Sequence, residues 1–174
     1  VIDTAEQLAP DAIHVVVGHG TEAVRSAMSE FDINWVEQSE QLGTGHAVAQ
    51  ALPHVSPERV VLVLYGDVPL AELSTLQRLS GLAQKAPALL AARLGNPSGY
   101  GRILRNDHNA LVGVVEDKDA SEKQRGIDEV NTGLLAAPCA DLAEYLPRVS
   151  NTNQQAEYYL PDILSLAVAA GKTV

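Results

Sequence analysis

The clearest pattern in the chain is a continuous apolar run at 60–65 that ends abruptly in Gly66 and Asp67. A strand without polar alternation must be covered on both faces, which predicts the centre of a parallel sheet with helices above and below. Open α/β sheets bind ligands at the carboxyl ends of such strands. Asp67 is therefore expected either to ligate a hard cation such as Mg²⁺ or to cap the helix predicted at 71–82.

Apolar runs and helical segments alternate through the first half of the chain. Strands are predicted at 12–17, 34–38 and 88–94, and helices at 21–28, 47–52 and 71–82. This order predicts a parallel sheet with right-handed crossovers. After Gly95 the pattern changes to an antiparallel hairpin (103–105 with 110–116), a strand at 133–137, and helices at 139–146 and 162–170. The predicted fold class is α/β, a Rossmann-like, mostly parallel sheet with helices on both faces and a small antiparallel hairpin.

Composition narrows the classes of partner. The chain has 174 residues, which suits one domain, and a net charge of −10, so no basic stripe is available for nucleic acid or an acidic membrane. No apolar run approaches the roughly 20 residues of a membrane span. The single cysteine, Cys139, allows neither an intrachain disulfide nor a thiolate metal cluster. The lack of a signal peptide favours the cytoplasm.

A glycine-bracketed loop, Gly43-Thr44-Gly45, opens the predicted helix at 47–52. Such a loop presents free backbone N–H groups and the positive end of the helix dipole, which suits a base edge or a phosphate. It lacks the lysine of a P-loop, so a Walker-type site is not expected. Thr44 as a simple N-cap would need no ligand, and both interpretations stay open.

Three weaker signals lie in the second half of the chain. Alternating charges at 115–119 fit a solvated loop, and two adjacent tyrosines, Tyr158 and Tyr159, fit a sugar pocket or ordinary packing. Asn131 leads into an apolar strand, so its amide must find partners in the backbone or in a ligand. Backbone partners are the commoner case.

Six motifs that occur in a fixed order indicate a protein family more specifically than any one of them does alone. They are Glu-Gln-Leu-Gly-Thr-Gly-His-Ala at 40–47, Leu-Tyr-Gly-Asp-Val-Pro at 64–69, Gly-Tyr-Gly-Arg at 99–102, Val-Glu-Asp-Lys-Asp-Ala at 115–120, Glu-Val-Asn-Thr-Gly at 129–133 and Glu-Tyr-Tyr-Leu-Pro-Asp at 157–162. This series resembles the uridylyltransferase domain of the bacterial bifunctional N-acetylglucosamine-1-phosphate uridylyltransferase / glucosamine-1-phosphate acetyltransferase family. The resemblance runs through nearly the whole chain and implies a nucleotide-diphospho-sugar transferase fold.

The resemblance also implies roles for particular residues. Gln38, Gly43 and Thr44 would contact uracil. Tyr65 and Gly66 would line the nucleotide-sugar site, and Asp67 would ligate Mg²⁺ and act in catalysis. Gly101, Glu116 and Asn131 would bind the N-acetylglucosamine unit. Backbone glycines allow close approach of a ligand, and carboxylate and amide groups read sugar hydroxyls.

The implied reaction joins UTP and N-acetylglucosamine 1-phosphate to give UDP-N-acetylglucosamine and pyrophosphate, in the cytoplasm, for peptidoglycan and lipopolysaccharide precursors. Family members also acetylate glucosamine 1-phosphate and form homotrimers through a β-helix domain. The sequence contains neither that domain, nor the family's opening glycine-rich loop with arginine and lysine, nor its second metal-ligand asparagine. Residues 1–174 are thus expected to be part of one nucleotidyltransferase domain. The alternatives are a fragment that binds nucleotide-sugar without turnover, or a related sugar-1-phosphate nucleotidyltransferase.

Overall fold

The computed structural model describes residues 1–174 as an α/β fold with seven strands and seven α-helices. The strands are β1 His14–Val17, β2 Asn34–Glu37, β3 Val60–Val63, β4 Ala88–Arg93, β5 Arg102–Arg105, β6 Leu111–Val115 and β7 Glu129–Pro138. The helices are α1 Ile2–Glu6, α2 Thr21–Ala27, α3 Thr44–Ala51, α4 Leu73–Leu82, α5 Glu122–Arg125, α6 Cys139–Tyr145 and α7 Asp162–Ala169. Short 3-10 turns follow α3 and α6. None of the helices combines the length and the apolar character that crossing a bilayer requires.

The strands form two sheets. β1 and β2 pair in parallel, with Val15 opposite Trp35, so the predicted β-α-β unit with α2 as its crossover is confirmed. In the five-stranded sheet, the long strand β7 pairs antiparallel with β3, β4 and β5, and β5 continues into the predicted antiparallel hairpin with β6. β3 and β4 thus run parallel to each other, on either side of β7.

The predicted position of the apolar run at 60–65 is therefore partly wrong. Both faces of β3 are covered, because Val61 and Val63 pack on one apolar cluster while Val60 and Leu62 pack on another. However, β3 is hydrogen-bonded only to β7 and lies at a sheet edge, and the only parallel pairing is that of β1 with β2. An apolar run indicates that both faces of a strand are covered, but it does not indicate whether the neighbouring strand is parallel or antiparallel.

Two apolar clusters hold the sheet to its helices through alternate residues of β7. Leu135 and Ala137 face α6 and α7, whereas Leu134 and Ala136 face α4. The larger cluster also contains Leu142, Tyr145, Leu146, Val149, Leu160, Ile163, Leu164 and Ala167. β7 is thus buried on both faces and pairs with β3, β4 and β5, so it is the central strand of the five-stranded sheet.

Candidate functional site

The loop that opens α3 is bonded along its length to the segment 157–160. Tyr158 N–H donates to Leu42 O at 2.8 Å, and Gly45 N–H donates to Tyr158 O at 2.7 Å. The third contact uses a side chain, since Leu160 N–H donates to Thr44 Oγ1 at 3.0 Å. The N-cap of α3 is Gly43 and has no side-chain cap. The interpretation of Thr44 as a simple cap is therefore wrong, because its hydroxyl binds a distant part of the chain.

The two glycines of this loop are required by the closeness of that contact. A Cβ atom on Gly43 would lie 2.8 Å from Tyr158 O, and one on Gly45 would lie 2.9 Å from the same atom. Gly43 also has a φ of +104°, which side chains rarely adopt. The glycine spacing thus serves a close contact between two segments of the same chain.

Gln38 follows β2 and connects it to the same loop. The residue is 9% exposed, and its side-chain Nε2 donates to Gly43 O at 3.1 Å. The same nitrogen lies 2.9 Å from His46 Nδ1. The structure therefore brings together Gln38, Gly43 and Thr44, the three residues that the resemblance assigned to uracil.

Tyr65 links this loop to the end of β3. Its ring packs on Gly133, where a Cβ atom would lie 2.4 Å from Tyr65 Cε2. Burial raises the pKa of the Tyr65 hydroxyl above its usual value, a hydrogen bond with Thr44 opposes this, and the charges of Glu116 and Asp67 raise the pKa further. Tyr65 thus has Thr44 and both carboxylates as electrostatic neighbours.

Gly101, Glu116 and Asn131 meet where β5, β6 and β7 adjoin. A Cβ atom on Gly101 would lie 2.9 Å from Glu116 Oε1, and Asn131 N–H donates to Gly101 O at 2.8 Å. The Asn131 side chain is buried, and its Oδ1 accepts from Gly133 N–H at 2.8 Å, so the expected backbone partner is confirmed for the oxygen. Its amide nitrogen has no partner in the protein and remains available as a donor.

Carboxylates dominate the electrostatics here. Burial raises the pKa of Glu116, and the neighbouring charges of Asp162, Asp119 and Asp117 add to this, while Arg102 opposes it. Burial, with Asp119 second, raises the pKa of Asp162 to about 6. A group of acceptors of this kind suits a ligand that carries several hydroxyl donors, which is a property of sugars.

Arg102 is the one cation that is buried in this region. Its side chain is 2% exposed, and Nη2 donates to Asp117 Oδ1 at 2.9 Å while Nη1 donates to Tyr100 O. Arg102 was not among the residues predicted for the site. Its position in the Gly-Tyr-Gly-Arg motif was the available signal.

Asp67 is exposed at the carboxyl end of β3, next to the exposed Gly66. It does not cap α4, whose N-cap is Glu72, so that alternative is wrong. No group of three or more His, Cys, Asp or Glu side chains is arranged to hold a metal ion. A single carboxylate does fit Mg²⁺, which keeps several waters and shares the phosphates of a substrate. The donor set is thus compatible with a metal that arrives together with a nucleotide.

The fold resembles that of nucleotide-sugar pyrophosphorylases. Two solved structures of UDP-glucose pyrophosphorylase, one in complex with UDP-glucose and one without ligand, superpose with TM-scores of 0.78 and 0.76 at 16% and 15% sequence identity. The alignments cover 99% of this chain and 74% and 75% of theirs. The predicted α/β class of nucleotide-diphospho-sugar transferase type is confirmed.

The chain belongs to the family of MobA-like NTP transferase domains, whose family model matches residues 1–141. It is 58% identical to the bifunctional protein GlmU of Azotobacter vinelandii, 53% identical to that of Dechloromonas aromatica and 56% identical to that of Pseudomonas paraeruginosa. Each alignment covers the whole of this chain and 38% of the relative. The resemblance drawn from the six motifs is confirmed.

Proposed function

We propose that the protein transfers a uridylyl group from UTP to N-acetylglucosamine 1-phosphate and releases pyrophosphate, giving UDP-N-acetylglucosamine. The observation that carries the proposal is the convergence of three motifs around Tyr65: the Gly43–Thr44 loop, the Gly66–Asp67 strand end and the Glu116 carboxylate. The family membership and the GlmU relatives at 53–58% identity support the same reaction class.

In this proposal the loop that opens α3 binds the base. Gln38, Gly43 and Thr44 contact uracil, and Tyr65 and Gly66 line the nucleotide-sugar site. Gly101, Glu116 and Asn131 bind N-acetylglucosamine, since Glu116 supplies an acceptor for sugar hydroxyls and the free Asn131 amide nitrogen supplies a donor.

The reaction needs no protein nucleophile. A phosphate oxygen of the sugar phosphate attacks the α-phosphorus of UTP in line, and the bond from that phosphorus to the pyrophosphate oxygen breaks. The residues hold the two substrates in this geometry and exclude alternative poses. Asp67 would ligate Mg²⁺, which supplies neutralisation of the phosphate charge when it is bound.

The chain spans 38% of the length of its curated relatives, so the properties of the whole protein are also proposals. We propose that residues 1–174 form part of one nucleotidyltransferase domain in a cytoplasmic enzyme of cell-wall precursor synthesis. By the same resemblance, the full-length protein acetylates glucosamine 1-phosphate and is a homotrimer through a β-helix domain.

The test is Asp67→Asn in the full-length protein, with release of pyrophosphate as the measurement. We expect kcat to fall by at least about 100-fold, because charge neutralisation at the reacting phosphates is lost, while the melting temperature stays unchanged. Asp107→Asn is the matched control, since Asp107 is also exposed but lies in the β5–β6 turn. Normal turnover in Asp67→Asn would remove Asp67 from the metal role.

Calorimetry with several nucleotide-sugars, together with the assay of pyrophosphate release, distinguishes the proposed enzyme from the two alternatives. An enzyme of this specificity binds UDP-N-acetylglucosamine more tightly than UDP-glucose or other nucleotide-sugars. Equal affinities would favour a related sugar-1-phosphate nucleotidyltransferase, and binding without release of pyrophosphate would favour a module that binds nucleotide-sugar without turnover.

A further inference from the structure

The side chain of Gln38 is held by a chain of hydrogen bonds that leads away from the candidate base site into helix α3. Its Nε2 donates to Gly43 O at 3.1 Å and lies 2.9 Å from His46 Nδ1. An amide nitrogen carries two hydrogens and cannot accept a hydrogen bond. His46 Nδ1 must therefore be the acceptor, and in the neutral ring the proton resides on Nε2. This tautomer is assigned from the hydrogen-bond network.

The second ring nitrogen is matched by Gln50, one helical turn further on. Gln50 Nε2 lies 3.1 Å from His46 Nε2, so two donors face each other as the amide is oriented. Turning the Gln50 amide by 180° exchanges its nitrogen for its oxygen, which then accepts from His46 Nε2–H. The only bond given up is the long one of 3.4 Å to His46 O. The same turn of the Gln38 amide is opposed by two acceptors, because its oxygen would then face both Gly43 O and the unprotonated His46 Nδ1.

The network leaves one polar atom of Gln38 unused. Both of its amide hydrogens are engaged by Gly43 and His46, and no protein donor reaches its Oε1. Gln38 therefore presents an acceptor, and no donor, to a ligand. His46 is itself confined, because its ring packs against Tyr158 at a centroid distance of 6.4 Å and its backbone lies in the first turn of α3.

We propose that His46 is a positioning residue that, together with Gly43 O, fixes the Gln38 amide with its oxygen free, and thereby strengthens the selection of uracil over cytosine at this site. The proposal rests on the proposed function, in which Gln38 contacts the base. Uracil presents an N3–H donor between two carbonyl oxygens, whereas cytosine presents an N3 acceptor beside an amino group. A fixed amide oxygen accepts from uracil N3–H and opposes cytosine N3, while an amide free to turn would accommodate both bases.

Two substitutions at position 46 separate the roles of the ring nitrogens. His46→Asn places an amide oxygen near the position of Nδ1, whereas His46→Gln places its amide near the position of Nε2 and leaves Gln38 without this acceptor. In the full-length protein, kcat/KM is measured with UTP and with CTP. We expect the UTP/CTP ratio to fall about tenfold in His46→Gln, the worth of one lost hydrogen bond, and to stay within about twofold in His46→Asn. Equal ratios in both variants and the unsubstituted protein would overturn the proposal.

A second measurement does not depend on turnover. The ¹⁵N chemical shifts of the His46 ring in the ligand-free protein identify which nitrogen carries the proton. We expect the Nε2–H tautomer, and an Nδ1–H tautomer would overturn the proposal whatever the activity. If the tautomer is as expected but the unsubstituted protein does not use UTP, the proposed function fails while the assigned hydrogen-bond chain stands. His46 would then orient Gln38, but its role in selecting uracil would be overturned.

Discussion

Two glycines have left-handed backbone conformations but different surroundings, so substituting each by alanine separates the cost of backbone strain from the cost of steric crowding. Gly133 and Gly171 have φ values of +84° and +82°. A Cβ atom on Gly133 would lie 2.4 Å from the Tyr65 ring, whereas one on Gly171 would meet nothing within 4 Å. We expect Gly171→Ala to lower the free energy of unfolding by about 1 kcal/mol through strain alone. Gly133→Ala adds overpacking and should cost about 3 kcal/mol or more.

Urea unfolding of the two variants measures this difference. A disordered Tyr65 would leave room at position 133, and the two variants would then lose equal stability. Such a result would also remove the contact by which β7 holds Tyr65 between Thr44 and Glu116.

The raised pKa of Asp162 makes the stability of the fold depend on pH. Its ordinary value of 3.8 is raised to about 6, chiefly by burial and next by Asp119. Between these values the folded form binds more protons at Asp162 than the unfolded form, so the contribution of this carboxyl to stability is greatest below about pH 4 and is lost as the pH rises through 6. Asp162→Asn removes this dependence. We expect it to be more stable than the unsubstituted protein by about 1 kcal/mol at pH 7, after allowance for solvent screening of a partly exposed group, and equally stable at pH 4.

Urea unfolding at pH 4 and pH 7 measures the effect. Asp32→Asn is the control, because Asp32 is exposed and makes no ion pair. A variant at Asp162 that loses stability at pH 7 but not at pH 4 would contradict this expectation, because it would show that the carboxyl makes a favourable contact in its charged form.

At the scale of secondary-structure elements, one of the three hydrogen bonds between the α3 loop and the segment 157–160 uses a side-chain hydroxyl. Leu160 is 1% exposed, and its N–H donates to Thr44 Oγ1. Thr44→Val leaves that buried N–H without a partner, which should cost about 1–3 kcal/mol. If the loss is local, exchange of the Leu160 amide hydrogen becomes about 10–100-fold faster. Thr44→Ser keeps the oxygen and should restore protection.

Thr75→Val is the control for that experiment, since the Thr75 hydroxyl in α4 has no hydrogen-bond partner in the protein. Unchanged protection of Leu160 in Thr44→Val would mean that water replaces the hydroxyl, and that the segment is held by Gly45 and Leu42 alone.

Sequence periodicity predicted elements well and their pairing poorly. The apolar run at 60–65 correctly indicated a strand covered on both faces, because alternate residues of β3 face different clusters. It did not indicate that β3 lies at an edge beside the antiparallel β7, since strand direction is set by connections across the chain. The glycine spacing at 43–45 likewise indicated a close approach, but only the structure shows that segment 157–160 makes it.

The candidate site was predicted residue by residue only through the motif series. Single residues such as Asn131 and Thr44 gave ambiguous signals. A threonine whose hydroxyl caps a helix, for example, cannot be distinguished by sequence from one whose hydroxyl binds a ligand. His46 and Arg102 were missed, since their partners are Gln38 and Asp117, and nothing in local sequence pairs a histidine with a glutamine eight positions before it.

At the scale of the whole molecule, several strands leave one edge unpaired, among them the apolar strands β1 and β3. β1 pairs only with β2, and β3 only with β7. Open apolar edges favour pairing between copies, whereas the net charge of −10 keeps copies apart at low ionic strength. We therefore expect the 174-residue chain to associate at concentrations of about 10–100 µM, and to do so more strongly in about 0.5 M salt than in about 0.02 M salt, because screening removes the repulsion but not the hydrogen bonds.

Sedimentation velocity across this range of salt measures the association. Val15→Lys places a charge on β1 at a residue that belongs to neither apolar cluster, and it should reduce the association in high salt. Leu70→Ser is the matched control, because Leu70 is 90% exposed and lies outside the strands. If Leu70→Ser abolished the association and Val15→Lys did not, surface apolar contact would be the cause. Association that weakened with salt would contradict this expectation and would point to ion pairs between copies. The excess of carboxylates leaves few cations on the surface to form such pairs.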